Sequence, residues 1–226
     1  MPHRRAVIFD AYGTVFDVAG AARLAAGEPG GVALRDHWPQ LAEVWRKKQL
    51  DYSWLRTLMG AHADFAEVTA EALDWALDAQ GLRDPALRAR LLALYDRLPA
   101  YREVPQVLAT LKARGLRLGI LSNGTPAMLA AALQAAGIAD LVETAVSIEA
   151  AGRYKPAPEA YALVGQVMGV AREKVLFVSA NGWDVAGASR FGFATVWVNR
   201  AGQPMERLPH GPGHILPDLT RLPVIA

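Results

Sequence analysis

From residue 101 to residue 199 the chain alternates short apolar runs with helical segments, and this alternation limits the fold more than any other feature. A helix is expected from Val104 to Arg114, stopped by Gly115, followed by the strand "LRLGILS". Thr125-Pro126 opens a helix that ends at Gly137, and "LVETAVSI" then reads as a strand. A helix over Pro158–Met168, the strand "KVLFVS", a helix over Gly182–Arg190 and the strand "FATVWVN" complete the series. Strands joined by crossover helices build a parallel sheet with helices on both faces. The buried-strand pattern at 6–9 predicts a further strand of that sheet. The Pro- and Gly-rich tail after Asn199 is expected to wrap the surface.

Between these parts, residues 16–100 are mostly helical in pattern. Leu41, Val44, Trp45, Tyr52, Leu55, Leu58 and Met59 approximate one apolar stripe. Asp84-Pro85 offers an N-cap and an N1 proline for a later helix. The expected organisation is an α/β core from 1–15 and 101–226, with 16–100 inserted as a helical cap. A chain of 226 residues can carry such an insertion on one domain.

Composition removes several functions. With no cysteine, disulfides, thiolate catalysis and thiolate zinc sites are excluded, which is compatible with the cytoplasm. A net charge of +2 from 24 basic and 22 acidic residues is too balanced to indicate nucleic acid. The start "MPHRRAVIFDAYGTVFD" has a basic tip, but Asp10 breaks its apolar run, so it reads as a poor signal peptide. No apolar stretch has the roughly 20 residues of a membrane span.

In open parallel sheets, ligands bind outside the carboxyl ends of the strands. Those ends here carry Asp10, then Ser122-Asn123, then Lys155 beyond a loop, then Ser179 with Asn181 and Asp184. "FDAYGTV", "LSNG", "YKPAPEAY" and "VSANGWD" resemble, in order, the four motifs of the haloacid dehalogenase superfamily. The stretch "WRKKQLDYSWLRTLMG" is similar to the cap of the L-2-haloacid dehalogenases within it.

The resemblance implies a Rossmann-like core with a helical cap, and hydrolysis of short 2-haloalkanoates with L configuration. Asp10 is the expected nucleophile: it displaces halide, inverts the carbon and forms an ester that water then cleaves. Lys155 is suited to pair with Asp10, and Thr14 to donate to its carboxylate or cap the turn. Ser122 and Asn123 offer donors for a substrate carboxylate, or form a plain turn. Tyr161 can aim its hydroxyl at the site or pack in the core. Ser179, Asn181 and Asp184 can hold Asp10 or Lys155, or position and activate water; N-capping competes for Asp184. Arg46 is implied to stabilise the departing halide, with Tyr12, Leu50, Phe65 and Trp183 as apolar walls. The same resemblance implies a homodimer, and the lack of carboxylates at Tyr12 and Ala180 leads to the expectation of no metal or other cofactor. The partners expected are the haloalkanoate, water and halide, with neither nucleic acid nor membrane.

The rival enzyme is a phosphatase on the same fold. Such phosphatases carry a second Asp two residues after the nucleophile and a magnesium-binding Asp in the fourth motif. Tyr12 and Ala180 stand at those positions. Halide needs no protonation as it leaves, so both losses suit dehalogenation. A binding or regulatory protein is the other alternative, opposed by the retained Asp10, Lys155, Ser179, Asn181 and Asp184.

Overall fold

The computed structural model describes residues 5–28, 31 and 34–226. The chain divides into two compact units, Met1–Phe16 with Ala100–Ala226, and Asp17–Pro99. The strands are β1 (Ala6–Phe9), β2 (Arg117–Ser122), β3 (Thr144–Ser147), β4 (Val175–Ser179), β5 (Ala194–Val198) and β6 (His214–Leu216). The helices are α1 (Gly20–Gly27), α2 (Trp38–Met59), α3 (Phe65–Ala79), α4 (Pro85–Tyr95), α5 (Val104–Ala113), α6 (Pro126–Ala135), α7 (Pro158–Met168), α8 (Gly182–Phe191) and α9 (Leu222–Ile225). Among the described residues, no helix is long and apolar enough to cross a membrane.

In the first unit the strands form one parallel sheet in the order β3-β2-β1-β4-β5-β6. The four residues of β1 are wholly buried, as a strand covered on both faces requires. Phe9 lies level with Ile120 on one side and Val178 on the other. The next step along the chain therefore brings Asp10 level with Leu121 and Ser179, at the carboxyl edge of the sheet. Thr125 accepts from the Met128 amide at 3.1 Å to cap α6, and Pro126 fills its first turn.

The tail departs from expectation. It adds β6 parallel to β5, pairing Val196 with His214 and Val198 with Leu216, and then α9. Leu219 and Leu222 are buried. A three-residue strand with Ile215 exposed has no apolar run long enough to stand out from its proline and glycine surroundings.

The second unit contains α1 to α4. Asp64 caps α3 by accepting from the Glu67 amide at 2.8 Å, and Asp84 caps α4 through the Ala86 amide at 2.8 Å. The apolar stripe expected on α2 needs correction. Its buried row is Leu41, Trp45, Gln49 and Ser53, spaced by four, whereas Leu55, Leu58 and Met59 are exposed. The i to i+4 row packs as one ridge, and its polar members are satisfied internally: Ser53 donates to the Gln49 carbonyl at 2.7 Å. Lys48 lies over the Trp75 ring at 4.2 Å, and Arg56 pairs with Glu71 at 2.7 Å, so these basic residues belong to the outer face of the unit.

Candidate active site

Asp10 emerges from β1 into a tight turn. Gly13 takes φ 89°, a left-handed conformation that strains any other residue. The turn folds Thr14 back, so its hydroxyl donates to Asp10 Oδ2 at 2.9 Å. That hydroxyl also accepts the Ala180 amide at 2.7 Å. A hydroxyl has one proton, so the amide of Ala180 leaves the proton of Thr14 directed at Asp10.

Oδ2 of Asp10 collects further donors: Asn181 Nδ2 at 2.9 Å and Ser179 Oγ at 3.4 Å. Ser179 in turn accepts the Asn181 amide at 3.1 Å. Oδ1 receives Lys155 Nζ at 2.8 Å. The two oxygens are therefore unequal, one held by a cage of neutral donors and the other facing a single ammonium.

Lys155 is buried and its ammonium bridges two carboxylates, reaching Asp184 Oδ2 at 2.7 Å and the Leu121 carbonyl at 3.2 Å as well. Three protons thus meet three acceptors. Burial alone would lower the lysine pKa, but Asp10 and Asp184 outweigh it and hold it above the ordinary value. Asp184 is pushed up by burial and by the Asp10 charge, against the pull of Lys155 and Tyr161. Tyr161 donates to Asp184 Oδ1 at 2.7 Å, and burial followed by the Asp184 charge drives its hydroxyl well above the usual tyrosine range.

The Tyr161 ring packs edge-on against Phe177 and Phe193 while its hydroxyl donates to Asp184. Asp184 is fully buried near the start of α8, on the side of the helix turned to Lys155. Asn123 Oδ1 accepts the Lys155 amide at 3.2 Å, and Ser122 Oγ accepts the Gly124 amide at 3.1 Å. These side chains fix the turn and the loop that presents Lys155. Tyr12 is buried, 6.4 Å from the Phe16 ring, and its own ring lies so close to Gly124 that a β-carbon there would meet it at 2.9 Å. Trp183 lines a groove of about 550 Å³ along α8 with Pro156, Gly187 and Arg190.

The remaining expected residues belong to the second unit. Arg46 and Leu50 are half-buried on α2, and Phe65 is buried at the start of α3. Arg46 Nη1 donates to Gln49 Oε1 at 2.7 Å.

One contributor was missed in the sequence. Arg200 follows β5 and donates to the Thr14 carbonyl at 3.0 Å and to Glu103 at 2.6 Å. Its guanidinium lies 3.8 Å from the centre of the Tyr101 ring. It thereby braces the turn that carries Thr14. Its position at a strand's carboxyl end was the available signal.

The arrangement suits a carboxylate nucleophile held in a fixed pose, with a second buried carboxylate one ammonium away. The ammonium of Lys155 already sits between Asp10 and Asp184, the two carboxylates a cation would need. Among the described residues, no cluster of three or more His, Asp or Glu side chains could hold a metal.

The haloacid dehalogenase-like hydrolase family model matches residues 4–192. The chain is 42% identical over 220 residues to (S)-2-haloacid dehalogenase 1 of Pseudomonas sp. (strain CBS-3), covering 97% of this chain and 95% of that protein. It is 45% identical over 200 residues to the (S)-2-haloacid dehalogenase of Xanthobacter autotrophicus, covering 88% and 76%. Among solved structures, the L-2-haloacid dehalogenase of Xanthobacter autotrophicus with chloropropionic acid covalently bound matches with a TM-score of 0.89 and 39% identity, over 98% of each chain. The buried Asp10–Lys155–Asp184 cluster thus stands in a chain that belongs to the haloacid dehalogenase-like hydrolases.

Proposed function

We propose that this protein hydrolyses short-chain L-2-haloalkanoates to D-2-hydroxy acids and halide through an ester on Asp10. The observation that carries the mechanism is the unequal solvation of the two Asp10 oxygens. Oδ1, with Lys155 as its donor, attacks the halogen-bearing carbon. The new C–O bond forms as the C–halogen bond breaks, and the electron pair leaves with the halide. Attack from behind inverts the carbon.

Oδ2 then becomes the carbonyl oxygen of the ester. Water adds to the carboxyl carbon, and Thr14, Asn181 and Ser179 are the donors at the oxygen where negative charge grows. Asp184 accepts the proton from water; its raised pKa suits a base better than an ordinary aspartate. Collapse breaks the bond between the carboxyl carbon and Oδ1. Lys155 protonates the departing oxygen and recovers its proton from Asp184 across 2.7 Å. The new carboxyl gives up the remaining proton of the water to solvent, and Asp10 is regenerated as a carboxylate with one oxygen from water.

Ser122 and Asn123 serve the substrate end of the pocket through the turn that they fix, and Tyr12, Leu50, Phe65 and Trp183 supply apolar surface. Arg46 offsets the charge gathering on the departing halide. No step requires a metal or other cofactor. The exposed apolar residues Leu55, Leu58, Met59 and Trp75 support pairing of two copies through α2 and α3.

Halide release from L-2-chloropropanoate in the presence of a chelator tests this function. The expected result is stoichiometric chloride and D-lactate, undiminished by chelator, with no phosphate released from a generic phosphatase substrate. Chelator-sensitive phosphate release without halide would overturn it.

A further inference from the structure

We propose that Gln49 is a positioning residue for Arg46, a buried neutral acceptor that aims the guanidinium without spending its charge. This inference rests on the halide role of Arg46 given above. Gln49 lies in the buried row of α2 and is 1% exposed. A leucine would pack there with no polar group to satisfy, whereas a buried amide is unfavourable unless fully bonded.

Every part of this amide is engaged. Nε2 reaches Thr69 Oγ1 at 2.7 Å and the Tyr95 hydroxyl at 3.1 Å. Thr69 spends its own proton on the Phe65 carbonyl at 2.6 Å, so its hydroxyl can only accept from Gln49. That fixes which way the amide points. Oε1 accepts Arg46 Nη1 at 2.7 Å and, more weakly, the Tyr95 hydroxyl at 3.3 Å. Trp45 locks the surround, donating to the Thr69 carbonyl at 2.9 Å and packing 5.0 Å from the Tyr95 ring. A chain of bonds from α3 and α4 thus fixes the carbonyl oxygen that receives Arg46.

The neutrality of that oxygen matters. A carboxylate at position 49 would hold the guanidinium more tightly, but it would compete with a departing anion for its charge. Gln49 gives direction without itself neutralising the guanidinium.

The test reads single-turnover halide release for Gln49→Met and Gln49→Glu, with melting temperature as a check on folding. Loss of aim by the guanidinium should slow the chemical step by roughly 10²-fold, with KM little changed. The loss should be larger for 2-chloropropanoate than for 2-bromopropanoate, whose carbon–halogen bond breaks more easily. Gln49→Glu should fold and still lose rate, because its charge is spent on Arg46. In an Arg46→Ala background, Gln49→Met should slow release less than twofold further.

Equal fractional losses from Gln49→Met with and without Arg46 would overturn the proposal while leaving the role of Arg46 intact. So would a loss identical for the two leaving groups. Arg46→Ala with undiminished halide release would instead overturn the role of Arg46 itself, and the proposal with it.

Discussion

At the scale of single residues, the site turns on Lys155. Its ammonium joins Asp10 to Asp184. Removing one member of a buried ionic cluster leaves the others uncompensated, at a cost of about 3–5 kcal/mol. Lys155→Met should therefore lose stability by that order as well as activity. The pH dependence of unfolding gives a sharper check. Lys155 is raised above 10.5 and Tyr161 well above 10.0 in the folded chain. The folded state then holds more protons than the unfolded one above about pH 10, so stability is fully present below that pH and falls as pH rises. In Lys155→Met the lysine part of that alkaline loss should vanish and the Tyr161 part remain. Thermal unfolding between pH 7 and 11 reads the difference; an unchanged alkaline slope would contradict the bridging role.

Legibility at this scale was uneven. Asp10, Lys155, Ser179 and Asp184 stand at strand ends inside recognisable motifs, so their convergence could be expected. Gln49 could not. A glutamine on a basic helix reads as part of a solvated face, and only the packing of α3 and α4 makes it a buried acceptor. Arg200 was hidden because its contact with the site is the backbone oxygen of Thr14, which no side-chain pattern reports, and Glu103 lies 97 residues away in sequence.

At the scale of elements, the site depends on how closely α8 approaches α7 and the loop carrying Lys155. Gly187 permits that approach: a β-carbon there would lie 2.5 Å from the Tyr161 hydroxyl and 2.6 Å from Pro156 Cβ. Gly187→Ala should cost about 1–3 kcal/mol by overpacking. It should also reduce activity at least several-fold, because Tyr161 must shift from Asp184. Denaturant unfolding and steady-state rates measure the two effects; a fully active variant would show that the Tyr161–Asp184 bond is dispensable. The strands β1 to β5 were legible from their apolar runs. The buried row of α2 was not, since Gln49 and Ser53 occupy it while Leu55, Leu58 and Met59 do not. Periodicity records which residues are apolar, and here the inward face is partly polar because its groups bond to one another.

At the scale of the whole molecule, those displaced apolar residues suggest their own purpose. Leu58 is 81% exposed and Met59 68%, next to a cavity of about 670 Å³ lined by Tyr52, Leu55, Met59 and Trp75. Pairing of two copies through this face predicts a dimer in sedimentation equilibrium. The double variant Leu58→Asp with Met59→Lys should run as a folded monomer. A dimer that persists in this variant would place the interface elsewhere.

In the proposed reaction Asp10, not water, attacks the substrate carbon. Single-turnover reaction in heavy-oxygen water with excess enzyme tests it most directly. The account predicts one heavy oxygen in the peptide bearing Asp10 and none in the first D-2-hydroxy acid released. Heavy oxygen going straight into that first product, with Asp10 unlabelled, would contradict it.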